Sequence, residues 1–173
     1  MGKTVEPRWL DPDELRTWFV FGTMFTWLPD VLDAQLQRDA GISLFEYQVM
    51  SMLSMSPQRS RRMSEVAALA NGSLPRLSRA VDRLDKRGWV TRRPDPESGR
   101  YTLAVLTHAG WDKVAATAPG HVAEVRRVVF DPLTKAQVRQ LRDIATRIGE
   151  VVHPDGFPPA FPPPDLEQPA RRE

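Results

Sequence analysis

Cysteine is absent from the 173-residue sequence. This absence excludes disulfide bonds, thiolate metal ligands, a cysteine nucleophile and regulation by thiol oxidation. The fold must therefore come from an apolar core, and a composition of 41% hydrophobic and 27% charged residues is that of an ordinary globular protein. The length corresponds to about one domain.

Long apolar runs are also missing. The longest spans Trp18 to Leu28, 11 residues interrupted by glycine and threonine, whereas a membrane-spanning helix needs about 20. The N-terminal segment lacks the basic and then apolar order of a secretory signal. These features predict a cytoplasmic protein that does not associate with membranes.

Residue patterns typical of catalysis are sparse. The three histidines, His108, His121 and His153, stand at no metal-ligand spacing from one another. No serine lies in a Gly-x-Ser-x-Gly motif. We therefore expect no enzymatic activity, no bound metal and no cofactor.

Positive charge is concentrated in the middle of the chain. Residues 57–100 hold 11 Lys and Arg against 5 Asp and Glu, whereas the rest holds 13 against 17. A basic middle between acidic arms indicates that this third of the chain meets a polyanion.

Capping signals predict six helices. Five begin at residues that can act as N-caps, and the third begins near Met63 without one; the caps are Asp11, Ser43, Ser73, Thr107 and Thr134. We expect Pro29 to kink the first helix, and Pro119-Gly120 to bend or break the fifth, which reaches about residue 130. Residues 58–62 are expected to form a loop.

After the fourth helix the period of the sequence changes. Residues 89–93 and 100–106 alternate and are rich in β-branched and aromatic types, which predicts a β-hairpin with a six-residue tip at 94–99. From His153 onward, 7 of 21 residues are proline, so residues 153–173 are expected to be a disordered tail.

The first predicted helix is apolar on all sides. A helix of this kind is buried on all sides, and a chain of this size offers too little surface to cover it. We therefore expect a partner subunit to pack against it.

The fourth helix separates apolar and basic residues. One side forms a predicted core stripe of Leu74, Leu77, Val81 and Leu84, and the other carries Arg76, Arg79, Arg83 and Lys86. Asp82 is placed to pair with Lys86. A solvated surface face is the alternative interpretation. The order of short helix, Asn71-Gly72 turn, basic helix and basic hairpin favours a winged helix-turn-helix.

The hairpin supports this interpretation. Arg92, Arg93 and Arg100 approach its predicted tip, and an arginine there can enter a narrow minor groove. The alternative is that these charges only protect an edge strand from aggregation. The predicted fold is mainly α with a small β-hairpin wing, organised as a flexible N-terminus (1–10), dimerisation and core helices (11–56), a DNA-binding lobe (57–106) and further dimerisation helices (107–152).

Three segments resemble the MarR family of transcriptional regulators: residues 77–90, LSRAVDRLDKRGWV, residues 106–110, LTHAG, and residues 131–141, DPLTKAQVRQL. The resemblance implies a homodimer that joins through its terminal helices and binds double-stranded DNA at a palindromic operator. We expect this regulator to act as a repressor. The resemblance also implies roles for particular residues. Ser73, Pro75, Arg76 and Arg79 would face bases or nearby phosphates, Arg83 and Lys86 the DNA backbone, and Arg100 the minor groove. From the hairpin itself we also expect Arg92 and Arg93 to contact DNA. Ser98 stands where the family usually has an aspartate that pairs with the wing arginine.

The same resemblance implies a cleft between the dimerisation helices and the DNA-binding lobe. It would draw on Trp18, Phe25, Tyr47, Met50, Trp111 and His121 and suit a small aromatic effector, an acid if His121 or an arginine faces inward. The alternative is that these side chains fill the core. Two other functions stay open: a protein-interaction module that keeps the fold, and a small-molecule enzyme or carrier.

Overall fold

The computed structural model describes residues 7–153. Six helices and three strands follow one another in the order α1 (Pro12–Ala40), α2 (Leu44–Ser54), β1 (Ser60–Arg62), α3 (Met63–Leu69), α4 (Leu74–Lys86), β2 (Val90–Asp95), β3 (Ser98–Leu106), α5 (His108–Val125) and α6 (Lys135–Val152). The mainly α winged helix-turn-helix is confirmed. The proline-rich tail beyond residue 153, and most of the predicted N-terminal segment, lie outside the described residues.

Local capping chemistry starts the helices where the sequence predicts. Asp11, Ser43 and Thr134 each form a reciprocal capping box with the residue three positions later, which satisfies backbone N–H groups that a helix start leaves free. α1 continues through Pro29, and α5 continues through Pro119. The break considered at Pro119-Gly120 is therefore wrong; α5 instead passes into a π-helical turn at Arg126–Phe130.

The sheet is antiparallel with strand order β1-β3-β2. The hairpin is confirmed, but its tip is shorter than predicted because pairing continues to Asp95 and Ser98, across a register shift between Pro94 and Asp95. The loop expected at residues 58–62 is also wrong in part: Ser60–Arg62 forms β1, with Arg61 opposite Ala104. This strand forms by pairing with β3, about 40 residues further along the chain. The local sequence therefore does not predict it.

The apolar core lies where α2, α3, α4 and the sheet meet. Its fully buried members include Val49, Met50, Leu53, Val66, Leu77, Val81, Leu84 and Val90. Leu74 is 51% exposed, so its predicted place in the core stripe is wrong. It is the first residue of α4 and extends past the edge of the core, while Ala80 completes the buried face.

Much of α1 is left uncovered by the rest of residues 7–153. Trp18 is 59% exposed and Trp27 69% exposed, and of the α1 residues only Gln35 and Leu36 are buried. Apolar side chains at the end of α6, including Ile148 and Val151, are exposed as well. Neither these helices nor any other within residues 7–153 has the length and apolar character needed to cross a bilayer.

Candidate nucleic-acid interface

α3, a tight turn and α4 form the helix-turn-helix. Asn71 adopts a positive φ of 46°, a conformation that asparagine tolerates. The next residue is Gly72. Glycine fits this position because the Cβ of any other residue would lie only 3.0 Å from the Phe45 ring. The Ser73 hydroxyl then accepts a hydrogen bond from the Arg76 backbone N–H at 3.3 Å and starts α4.

α4 presents one buried and one exposed face. Leu77, Ala80, Val81 and Leu84 face the core. The side chains predicted to meet DNA all lie on the exposed side: Ser73, Pro75, Arg76, Arg79, Arg83 and Lys86. A helix that enters a major groove needs this arrangement, with an apolar face packed on the core and a basic face exposed on the opposite side.

Two of these arginines also contact α2. The Arg76 guanidinium lies over the Phe45 ring, 4.2 Å from its centroid, which limits the directions in which the side chain can extend. The Arg83 Nε donates to Glu46 Oε1 at 2.6 Å; the Arg83 side chain is 56% exposed and that of Glu46 only 8%. Arg83 is therefore a structural partner of α2 as well as a surface cation.

The Glu46 carboxylate has opposing influences on its pKa. Burial acts to raise it, but hydrogen bonds from the Ser43 backbone N–H and from Arg83 outweigh burial and hold the pKa of Glu46 below its ordinary value. The carboxylate that caps α2 is thus ionised at neutral pH and is paired with an arginine of α4.

Arg92 joins the wing to α4. It forms an ion pair with Asp82 and donates to the Ser78 carbonyl oxygen at 2.9 Å and to the Ser78 hydroxyl at 3.1 Å. The expected Asp82–Lys86 pair is therefore wrong, since the hairpin brings a competing cation to Asp82. Arg92 points to α4 and not to the wing tip.

A buried carboxylate organises the wing tip. Asp95 is 6% exposed. It accepts hydrogen bonds from the Glu97 backbone N–H at 2.9 Å and from Arg62 Nε at 2.7 Å, and these keep its pKa below the ordinary value. The Arg62 guanidinium also lies over the Tyr101 ring. Sequence reasoning missed this role of Arg62 because β1 was not predicted.

The wing leaves two cations exposed, Arg93 and Arg100. Within residues 7–153 neither forms a salt bridge, and Ser98 supplies no carboxylate to Arg100. Their charge is consequently free to meet another molecule.

A cavity of about 620 Å³ lies between α1, α2 and α5, close to the end of α3. It brings together Phe25, Tyr47 and His121 of the predicted ligand set. Met50 is instead fully buried in the core, Trp18 is exposed on α1, and Trp111 lies beneath the Arg59 guanidinium. None of these three lines the cavity. Sequence reasoning missed other lining residues, among them Met24, Leu28, Leu32 and Met52, which the helical spacing of α1 and α2 could have indicated.

This geometry defines a winged helix-turn-helix DNA-binding protein. A family model described as the MarR family matches residues 40–100. Sco3205 of Streptomyces coelicolor, a MarR family transcriptional regulator solved in complex with DNA, is 44% identical with a TM-score of 0.82, over 86% of this chain and 93% of that one. AbsC, another MarR family regulator of that organism, is 30% identical with a TM-score of 0.79, over 86% and 99%. The chain belongs to the MarR family of transcriptional regulators.

A third solved structure shares the fold at lower identity. CouR of Rhodococcus jostii RHA1, solved with bound p-coumaroyl-CoA, is 22% identical with a TM-score of 0.67. The alignment covers 80% of this chain and 92% of CouR.

Proposed function

We propose that this DNA-binding regulator acts as a homodimeric repressor of a pseudo-palindromic operator. The observation that carries the proposal is the pairing of two exposed surfaces: the basic face of α4 and the uncovered apolar faces of α1 and α6. An apolar surface of this extent on a regulator is typical of a subunit interface. A two-fold axis through it would present two copies of α4 to one side of a duplex.

The DNA contacts follow from the exposed groups. Ser73, Pro75, Arg76 and Arg79 at the start of α4 are proposed to face base edges and nearby phosphates, since recognition helices use their N-terminal residues in this way. Lys86 is proposed to contact the backbone. Arg93 and Arg100 are proposed to reach the minor groove, whose negative potential attracts arginine.

Two predicted contacts receive a different proposal. Arg83 and Arg92 are each paired with a carboxylate of the same chain, so their charges are already partly neutralised. We assign both to bracing: Arg83 holds α4 to α2, and Arg92 holds the wing to α4.

We further propose that a small aromatic effector enters the cavity between α1, α2 and α5 and releases the DNA. The apolar lining supports this, as does the aromatic acyl ligand bound to CouR. An effector changes DNA affinity only if it binds the two arrangements of the DNA-binding lobes unequally. A tenfold release needs about 1.4 kcal/mol of difference.

Selection of bound sites from random double-stranded DNA tests the proposal. We expect a pseudo-palindrome whose half-sites lie about one helical turn, ~34 Å, apart. Sedimentation of the free protein should give a dimer at micromolar concentration. A well-folded monomer, or a selected motif without two-fold symmetry, would contradict the homodimer. An Arg79→Ala control should lose binding and keep the dimer.

A further inference from the structure

We propose that the cavity between α1, α2 and α5 selects an uncharged aromatic hydroxyl compound over the corresponding carboxylate. This inference rests on the proposed effector function and specifies the ligand that the site accepts. It narrows the sequence-based expectation, which allowed an acid if an arginine faced inward.

The first argument is the absence of charge from the lining among the described residues. The cavity is lined by Met24, Phe25, Leu28, Pro29, Leu32, Leu44, Tyr47, Gln48, Ser51, Met52, Leu69, Ala70, Asn71 and His121. None is Lys, Arg, Asp or Glu. A carboxylate moved from water into such a site loses hydration without gaining a countercharge, which is strongly unfavourable.

Arginines do occur nearby, but they line a different cavity. Arg76, Arg79 and Arg83 lie around a neighbouring space of about 630 Å³ together with Asp30 and Asp33. The two spaces share wall residues such as Leu44 and Gln48. A one-ring acid seated against Tyr47 and His121 is therefore in the uncharged space.

A chain of hydrogen bonds fixes the state of His121. Gln35 Nε2 donates to Asp39 Oδ2 at 2.9 Å, and since a carboxylate only accepts, the amide orientation is set. Gln35 Oε1 therefore faces His121 Nδ1 at 3.2 Å. An amide oxygen only accepts, so Nδ1 carries the hydrogen and Nε2 is left as an acceptor.

The ring is also neutral at physiological pH. Burial lowers the pKa of His121, and the nearby Glu124 only partly opposes this effect. A neutral imidazole with Nε2 as acceptor can receive a hydrogen bond from a ligand hydroxyl. It offers no donor at Nε2 to a carboxylate, which can only accept.

Ser51 supplies the second polar group. Its hydroxyl is buried and forms no hydrogen bond with the described residues, an arrangement that costs free energy unless a partner arrives. Tyr47 lies one turn before it. Burial raises the pKa of Tyr47, and the nearby Ser51 hydroxyl counters part of this rise. A ligand hydroxyl that donates to His121 and reaches the covered Ser51 hydroxyl would give both groups a partner.

The experiment compares 4-propylphenol with 4-propylbenzoate by titration calorimetry at pH 7.5, using the full chain. At this pH the phenol is uncharged and the benzoate is an anion, and both compounds carry the same propyl-substituted ring. We expect the phenol to bind at least tenfold more tightly. Ser51→Ala and His121→Phe should each weaken phenol binding about five- to tenfold, as the loss of one buried hydrogen bond requires.

Two further variants keep the test interpretable. Trp111→Phe lies outside the cavity and should leave both affinities unchanged. Gln48→Lys places a cation on an exposed wall position and should shift the preference towards the benzoate. Because this variant gains a ligand, unfolding cannot produce the result.

Equal or tighter binding of the benzoate overturns the inference, and so does a failure of both compounds to bind. Phenol affinity that is unaltered in both Ser51→Ala and His121→Phe overturns it as well. DNA binding of the free protein, measured in parallel by gel shift, tests the proposed regulator independently. Phenol-selective binding that leaves DNA affinity unchanged would uphold the site and refute its effector role.

Discussion

Replacing Arg83 and Arg79 separately should distinguish bracing from DNA contact on the same helix. Both arginines lie on the exposed side of α4, four residues apart, and the sequence analysis predicts a DNA contact for each. Of the two, only Arg83 donates to the buried Glu46 carboxylate. Arg83→Ala is therefore expected to reduce stability, whereas Arg79→Ala is expected to reduce DNA affinity.

The size of the stability loss can be bounded from the geometry. Removal of one member of a fully buried ion pair costs about 3–5 kcal/mol. Arg83 is more than half exposed, and Glu46 keeps its bonds to the Ser43 N–H and hydroxyl. The expected loss is therefore about 2 kcal/mol, in the range for a hydrogen bond to a charged group. For a chain of this size it lowers Tm by about 4–8 °C.

The stability lost in Arg83→Ala should depend on pH in a defined direction. The pKa of Glu46 is lowered in the folded state, so the pair stabilises the fold above the unfolded value of about 4.3 and is lost as pH falls through the folded pKa. The difference in unfolding free energy between the native sequence and Arg83→Ala should be largest near neutrality. It should shrink below about pH 4.3.

Denaturant unfolding and DNA titrations at several salt concentrations measure the two effects. Arg79→Ala should change stability by no more than about 0.5 kcal/mol. It should lower the log–log salt slope by about 0.9 for each phosphate that Arg79 neutralises. Arg83→Ala should leave that slope unchanged at concentrations where it is folded. An Arg83→Ala protein of native stability with a reduced salt slope would refute the reasoning.

Three further predictions concern the helix, the wing and base recognition. Gly110→Ala should destabilise the protein by about 3 kcal/mol in thermal unfolding, because the new Cβ would lie 2.1 Å from the Trp89 carbonyl oxygen. Gly120→Ala in the same helix is the control. Its Cβ would meet no atom nearer than 3.7 Å, so this variant should be neutral or stabilising. Asp95→Asn should weaken DNA binding by loosening the wing tip, with the sedimentation coefficient unchanged; unaltered affinity would contradict that role. Arg76→Ala should cost about 1–3 kcal/mol of discrimination between operator and mutated operator in competition gel shifts, and a uniform loss on both would show that it reads no base.

Features set by neighbouring residues were predictable from the sequence. The caps at Asp11, Ser43 and Thr134 need only a side chain three residues away, and all three form. The buried face of α4 follows from helical periodicity for the same reason. The prediction that Leu74 is buried was wrong because periodicity indicates the side of a helix on which a residue lies. It does not indicate where along the helix axis the core ends.

Features set by distant residues were not predictable. β1 is three residues long and exists because β3 pairs with it. The basic side chains of α4 lie on the exposed face as predicted, and so do Arg93 and Arg100 of the wing, but Arg92 does not, and the partners of Arg83 and Arg92 were not predicted. Glu46 precedes Arg83 by 37 residues and Arg62 precedes Asp95 by 33, and only the fold brings those charges together.

The uncovered face of α1 has a consequence for the chain during its synthesis. α1 is complete at residue 40, whereas α6 ends at residue 152, so the ribosome makes the first apolar helix well before the last. At 5–20 residues per second the interval is about 6–22 s. From the time α1 leaves the ribosome until the proposed partner subunit covers it, Trp18 and its apolar neighbours are available to chaperones, to proteases and to other nascent chains. We therefore expect slower translation beyond residue 40 to lower the yield of folded protein.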